Sequence, residues 1–293
     1  MPVAFSERYF TTSDGPRIHY RDYPATGTAR GAPALCLHGL TRNETDFEDL
    51  APMIAAQGRR VIAATQRGRG LSDHDPKPEH YLPAVYAGDM LSLLGSLGID
   101  RAVFVGTSMG GIMTMLTAAA APQRLAAAVL NDIGPVLDPA GLARIRSYTG
   151  VARPAQSWAE SAAIARELNQ GAFPSETGEA FWLTVARRTF REAAPGRLEL
   201  DYDPLIARGV QPPPEAPAGP EPDLWRLFDA LKPIPTLVIR GALSDLLATG
   251  TLEEMKRRKP DLATAEVPDV GHAPYMTEPA AWAALRGFLA AAP

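Results

Sequence analysis

The stretch VFVGTSMGGIM, residues 103–113, runs from four apolar or small positions into a cluster of small residues with one serine at its centre. Gly106, Ser108 and Gly110 fit the spacing Gly-x-Ser-x-Gly. The residues before the serine read as a buried strand and those after it as a helix. A serine at such a strand-to-helix turn is forced into a strained backbone conformation. It is tolerable there only because the flanking glycines carry no side chain to strike the neighbouring strand and helix. The turn pushes the serine oxygen out at the carboxyl edge of a sheet, and the following helix aims its unpaired N–H groups at the same point.

A serine hydroxyl is a weak nucleophile until a base takes its proton, and histidine is the side chain suited to that near neutral pH. The histidines are His19, His38, His74, His80 and His272. In a turn of this kind the base follows the serine in the chain, and only His272 does so. It lies in VPDVGHAPYM (267–276), in a loop after the last expected strand. A carboxylate must orient the imidazole. Asp245, in VIRGALSDLL (238–247), stands just past the strand before His272 and is the expected acid. Asp132, in VLNDIGP (129–135), ends an earlier strand at the same edge and is the competitor, with a place lining the approach to the following segment as its other role. Two backbone N–H groups would hold a developing oxyanion, each worth about 3 kcal/mol. The expected donors are Met109, directly after the serine, and Leu40, in the HGLTRN loop (38–43).

Around this centre the chain is organised as short apolar runs alternating with amphipathic stretches. The runs ALCLHG (34–39), RVIAAT (60–65), AVFVGT (102–107) and AAAVLND (126–132) are separated by helix-like segments at 44–57, 81–97 and 109–121. That alternation predicts a parallel sheet covered on both faces. Ahead of it, YFTTSDGPRIHYRDY (9–23) reads as a hairpin about Ser13-Asp14-Gly15-Pro16. From Ile133 to about Lys232 the strand rhythm stops, with helix-like segments at 139–149, 155–169 and 176–192 and a proline-rich run at 209–223. The rhythm resumes with PTLVIRG (235–241), a helix at 249–258, ATAEVP (263–268) and a closing helix near 277–291. Residues 1–133 and 233–293 are thus expected to form one core, and 134–232 a helical cap inserted into it.

The bulk numbers narrow the class. In 293 residues, 46% are apolar and 21% charged, with 29 basic against 33 acidic residues and a formal charge of −4. That is ordinary for a globular domain and gives no reason to expect nucleic acid or an anionic membrane as partner. The single cysteine, Cys36, excludes an intrachain disulfide and reads as a small buried hydrophobe. No basic segment precedes an apolar run at the start, and no run of about 18 apolar residues follows, so a cytoplasmic location is expected. Metal-spaced histidine pairs and phosphate-cradling glycine loops are missing, so the expected chemistry uses neither metal nor cofactor.

With the serine turn, the downstream histidine, RGRGLSD (67–73) and GHAP (271–274) in place, the sequence resembles an α/β-hydrolase over nearly its whole length. The resemblance implies a mostly parallel eight-stranded sheet flanked by helices, with an inserted helical cap. It assigns Ser108 as nucleophile, His272 as base, Asp245 as acid, and Leu40 with Met109 as oxyanion donors. Gln66 departs from the pattern, since many relatives carry an acidic or aromatic residue before Arg-Gly. The implied activity is cleavage of a carboxylic ester or lactone through an acyl-enzyme. A carbon–carbon bond hydrolase of ring-cleavage diketone acids uses the same groups and is the alternative, and a ligand receptor built on the fold is a third reading. Serine at the turn argues against the haloalkane dehalogenase and epoxide hydrolase branches, which use aspartate there. The expected partner is a small ester or related acyl compound, with Arg42, Asn43, Asp132 and Trp182 as candidate binding residues, and monomer and homodimer both remain open. His38 is expected to support the oxyanion loop and Asp73 to fix its own loop, while most aromatic residues of the insertion are expected to pack it.

Overall fold

A computed structural model of the protein describes residues 4–211 and 224–293. Its sheet strands are β1 (Ser6–Thr11), β2 (Arg17–Tyr23), β3 (Ala34–Leu37), β4 (Val61–Ala64), β5 (Ala102–Thr107) and β6 (Leu125–Asn131), then β9 (Thr236–Gly241) and β10 (Ala263–Val267). β7 (Phe190–Ala194) and β8 (Arg197–Leu200) form a separate hairpin. The main sheet has the order β1-β2-β4-β3-β5-β6-β9-β10. β1, β2 and β4 pair antiparallel in turn, and all other neighbours are parallel.

The helices are α1 (Leu50–Ala55), α2 (Pro83–Ser96), α3 (Met109–Ala120), α4 (Pro139–Tyr148), α5 (Trp158–Asn169), α6 (Glu179–Thr189), α7 (Leu224–Asp229), α8 (Thr249–Arg258) and α9 (Pro279–Ala291). Alternate residues of the central strands point to opposite faces, as the period of two requires. Leu35, Leu37 and Phe104 join one apolar layer with Met90 and Leu94 of α2 and Met113 of α3. Cys36, Val103 and Val105 join the other with Ile54 of α1 and Leu285 and Leu289 of α9. Both faces are covered, which is why these strands read as unbroken apolar runs.

From β3 the chain goes to β4 on one side, and β5 then returns on the other side of β3. The connections after β3 and β5 therefore leave in opposite directions. A crevice opens between their carboxyl ends, the place where open α/β sheets bind ligands. Leu37 pairs with Gly106 across this boundary, so the loop after β3 and the turn at Ser108 emerge side by side.

The segment between β6 and β9 differs from the purely helical insertion expected. The helix foreseen over 176–192 ends at Thr189, and the chain turns into the β7–β8 hairpin. The turn is made at Ala194-Pro195-Gly196, where Gly196 has φ 71°, a left-handed position that suits glycine. α7 packs on α3, with Phe228 buried in the layer of Phe104, so the sheet's covering begins again before residue 233. The proline-rich run was expected over 209–223, and its residues 212–223 lie outside the described residues.

Gly110 marks the tightest packing. A Cβ there would lie 2.1 Å from the carbonyl oxygen of Leu37, and one on Gly106 would lie 2.3 Å from that of Gly110. Backbone cannot give way cheaply at such distances. Gly110→Ala should therefore lower unfolding free energy in urea by about 3 kcal/mol. Gly88→Ala, at an exposed position inside α2 with nothing within 4 Å of the new Cβ, should instead raise it by about 0.5–1 kcal/mol.

Candidate active site

Ser108 joins β5 to α3 with φ 52° and ψ −114°, outside the usual regions for a residue with a side chain. Three backbone bonds hold it there. Its N–H donates to the carbonyl of Asn131 at 3.0 Å, and its own carbonyl accepts from the N–H groups of Gly111 at 2.8 Å and Ile112 at 3.2 Å. Its Oγ faces His272, with Nε2 at 3.0 Å. His272 Nδ1 lies 2.8 Å from Oδ2 of Asp132. An ionised carboxylate only accepts, so the ring proton belongs on Nδ1, which leaves Nε2 free to accept from the serine hydroxyl.

The carboxylate beside the histidine is thus Asp132 and not Asp245. Asp132 is fully buried, with φ 54°, directly past the end of β6. Its Oδ1 accepts from the N–H of Gly241 at 2.7 Å, and its Oδ2 accepts from the Ser244 hydroxyl at 2.6 Å as well as from His272. The physical reason lies in the turn after β9. There Ser244 N–H closes on the carbonyl of Gly241 at 2.9 Å, bringing the serine hydroxyl inward to Asp132. The next residue is turned toward α4. Asp245 is held by Arg144, with Nε–Oδ2 at 2.6 Å and Nη2–Oδ1 at 2.8 Å, a bidentate pair that keeps its carboxyl below the usual carboxylate range. Ser244 was not among the residues singled out from sequence. Its only advance signal is its place in the same loop as Asp245.

The backbone N–H groups of Leu40 and Met109 have no hydrogen-bond partner among the described residues. Leu40, in the loop after β3, lines the cleft at Ser108, and Met109, the first residue of α3, directly follows the serine. His38 supports this loop from beneath. Its Nδ1–H donates to the carbonyl of Gly39 at 2.7 Å and its Nε2 accepts from the N–H of Gln66 at 3.1 Å. Burial pushes its pKa down to about 4, which keeps the ring neutral and able to do both. The His272 loop is tied in by Asn131, whose side-chain amide donates to Thr107 Oγ1 at 3.0 Å and to the Pro274 carbonyl at 2.7 Å.

The cleft in front of Ser108 is narrow, about 90 Å³, and its walls include Leu40, Arg42, Ile145, Tyr148, Phe173 and Tyr275. α4 supplies Ile145 and Tyr148, so the segment after β6 forms one wall. Arg42 is in the cleft, paired with Asp46 and donating to Tyr275 Oη at 3.1 Å. Of the other three binding candidates, Asp132 is buried against His272, and Asn43 and Trp182 are outside the cleft as well. Asn43 is buried and spans to the inserted segment, with its amide donating to the Arg188 carbonyl at 3.3 Å and to Asp201 at 3.1 Å. Trp182 is buried in α6, where its indole N–H donates to the Glu176 carbonyl at 3.1 Å. Asp73 pairs with Arg17 at 3.1 Å and fixes its loop to β2.

This fold, with a serine turn at the switch point of its sheet, defines a class of enzymes. The chain belongs to the alpha/beta hydrolase family, whose pattern it matches over residues 34–285. It is 35% identical to a 3-hydroxybutyrate-oligomer hydrolase of Cupriavidus necator, over 84% of each chain. It is 30% identical to a 2-(acetamidomethylene)succinate hydrolase of Mesorhizobium japonicum, over 85% of this chain and 83% of that one. A crystal structure of an alpha/beta hydrolase from Novosphingobium aromaticivorans superposes with a TM-score of 0.89 at 43% identity, covering 99% of both chains. Among the described residues no helix is long and apolar enough to cross a membrane.

The two acids separate in kinetics. Asp132→Asn, which replaces one carboxylate oxygen by an NH2 donor and so favours the wrong tautomer of His272, should cost about 10⁴ in kcat. Asp245→Asn leaves that contact intact and should cost less than about tenfold by the same reasoning. Steady-state rates on one activated ester compare the two.

Proposed function

We propose that the chain is a serine hydrolase that cleaves a carboxylic ester or lactone through an acyl-enzyme. The observation that carries this reading is the unbroken line from Ser108 Oγ through His272 to Asp132, at 3.0 and 2.8 Å, starting from a serine in a strained turn. Strain of this kind costs about 1–3 kcal/mol and persists where the arrangement is used.

In the first half-reaction His272 Nε2 takes the Ser108 proton while the oxygen attacks the ester carbonyl carbon. The carbonyl π pair moves onto oxygen, which the N–H groups of Leu40 and Met109 bind, each contributing about 3 kcal/mol. Collapse breaks the bond to the alcohol oxygen, and His272 returns its proton to that leaving group. Water then repeats the sequence on the acyl-enzyme, with His272 as base, and releases the carboxylic acid. Asp132 stays ionised throughout and steadies the imidazolium in each step.

The narrow cleft favours a short acyl group, and Arg42 supplies a polar donor beside it. Oligomers of 3-hydroxybutyrate are built of such short units joined by esters, and the similarity to a hydrolase of those oligomers supports a short hydroxy-acid ester as substrate. We read residues 134–232 as the cap that sets this preference, since α4 and Phe173 stand over the serine.

Ser108→Ala should abolish hydrolysis of short aryl esters and of a 3-hydroxybutyrate dimer, a loss of at least about 10⁴ in kcat. A fluorophosphonate should label the wild-type protein at Ser108, located by peptide mass spectrometry. Retention of most of the rate in the variant, or no label on Ser108, sinks the reading.

A further inference from the structure

Arg67 and Arg69 are both buried, both in the loop after β4, and are treated very differently. The Arg67 guanidinium is surrounded by Asp14, Asp75 and Asp89. Arg69, with no solvent exposure, has no carboxylate partner among the described residues. Its Nε donates to the carbonyl of Leu40 at 2.9 Å, and its Nη1 donates to the carbonyl of Arg67 and the hydroxyl of Tyr86, both at 2.8 Å. Nη2 meets only the sulfur of Met109, at 3.9 Å. The Tyr86 ring lies against the guanidinium at 4.7 Å. A buried cation without a counter-ion is costly, and neutral acceptors offset only part of that cost.

Two of the residues that Arg69 touches are Leu40, which lines the cleft, and Met109, which follows Ser108 and is met through its sulfur. The guanidinium, without a carboxylate partner among the described residues, thus contacts both residues that the ester-hydrolase reading makes the oxyanion donors. We infer that Arg69 is a positioning residue for the oxyanion. It fixes the Leu40 loop through the carbonyl, and its charge is answered by an anion only when the tetrahedral intermediate forms. The inference rests on the ester-hydrolase reading above. A charge whose partner exists only in the transition state lowers the barrier without tightening substrate binding.

The test separates charge from scaffold. Arg69→Met should lower kcat on an aryl ester ten- to hundredfold while KM changes less than about threefold. Arg69→Lys, which keeps the charge, should recover kcat to within about fivefold of wild type. A trifluoromethyl ketone adds to Ser108 Oγ as His272 takes the proton, giving a hemiketal oxyanion, and its Kd should weaken in Arg69→Met by the same factor as kcat/KM. Arg69→Gln keeps a donor for the Leu40 carbonyl but not the charge, and should behave like the methionine variant. Equal losses in the lysine and glutamine variants, an unchanged kcat in Arg69→Met, or failure of all three to fold would make Arg69 a structural residue and overturn the inference. If the wild-type protein neither cleaves the ester nor binds the ketone, the hydrolase reading itself has failed, which is a different result.

Discussion

One buried carboxylate holds the cleft edge together. Asp132 has no contact with solvent, and burying an unpaired carboxylate costs several kcal/mol. It is stable only because three donors from three parts of the chain converge on it: the Gly241 N–H at the end of β9, the Ser244 hydroxyl in the turn beyond, and His272 in the loop after β10. Hydrogen bonds to a charged group each contribute about 1.5–3 kcal/mol. Removing any one donor leaves the charge less compensated. The carboxylate therefore specifies the positions of β9, its following turn and the histidine loop relative to β6. Ser108 is tied to the same strand through the Asn131 carbonyl.

This explains which parts of the site are legible in sequence. Ser108 is legible because steric exclusion is local: Gly106 and Gly110 are needed at fixed offsets from it, and the close approaches of 2.3 and 2.1 Å show why. His272 is legible because only one histidine follows the serine. The acid is not, since Asp132 and Asp245 both follow strands and both end at the same edge. Which of them meets the imidazole depends on how a four-residue turn after β9 rotates, and on Arg144 in α4, more than a hundred positions upstream of Asp245 by number yet bonded to it. No local pattern carries that information.

The inserted segment shows the same boundary between local and non-local. Helices α4 and α5 are written in their caps: Asp138 accepts from the Ala140 N–H and Ser157 from that of Glu160. The β7–β8 hairpin is not written that way. β7, with the sequence FREAA, is exposed after its first residue, and the four residues after Phe190 are good helix formers. It is a strand because Pro195 and Gly196 turn the chain back and because Leu198 also bridges to Ala155. Asn43 then joins the end of the hairpin to the loop after β3 through Asp201, whose carboxyl is pushed up to about 6 by burial. A residue that looked like a substrate contact instead fastens the inserted segment to the sheet.

Two strained residues and a buried cation meet near the cleft. Ser108 and Asp132 both sit at positive φ, just past the ends of adjacent strands, and Arg69, without a carboxylate partner among the described residues, donates to the carbonyl of Leu40 in the cleft wall. Arg67, two residues before Arg69, is given three carboxylates, and Leu35, Leu37 and Phe104 of the central strands pack in one apolar layer. On the proposed hydrolase reading the strained residues and the Arg69 cation fit electrostatic preorganisation, because dipoles and charges aimed at an absent anion repel one another until it forms. The sheet tolerates this because its large apolar layers supply the surplus, and because Gly106 and Gly110 let α3 pack directly on β3 and β5 at the point of greatest strain.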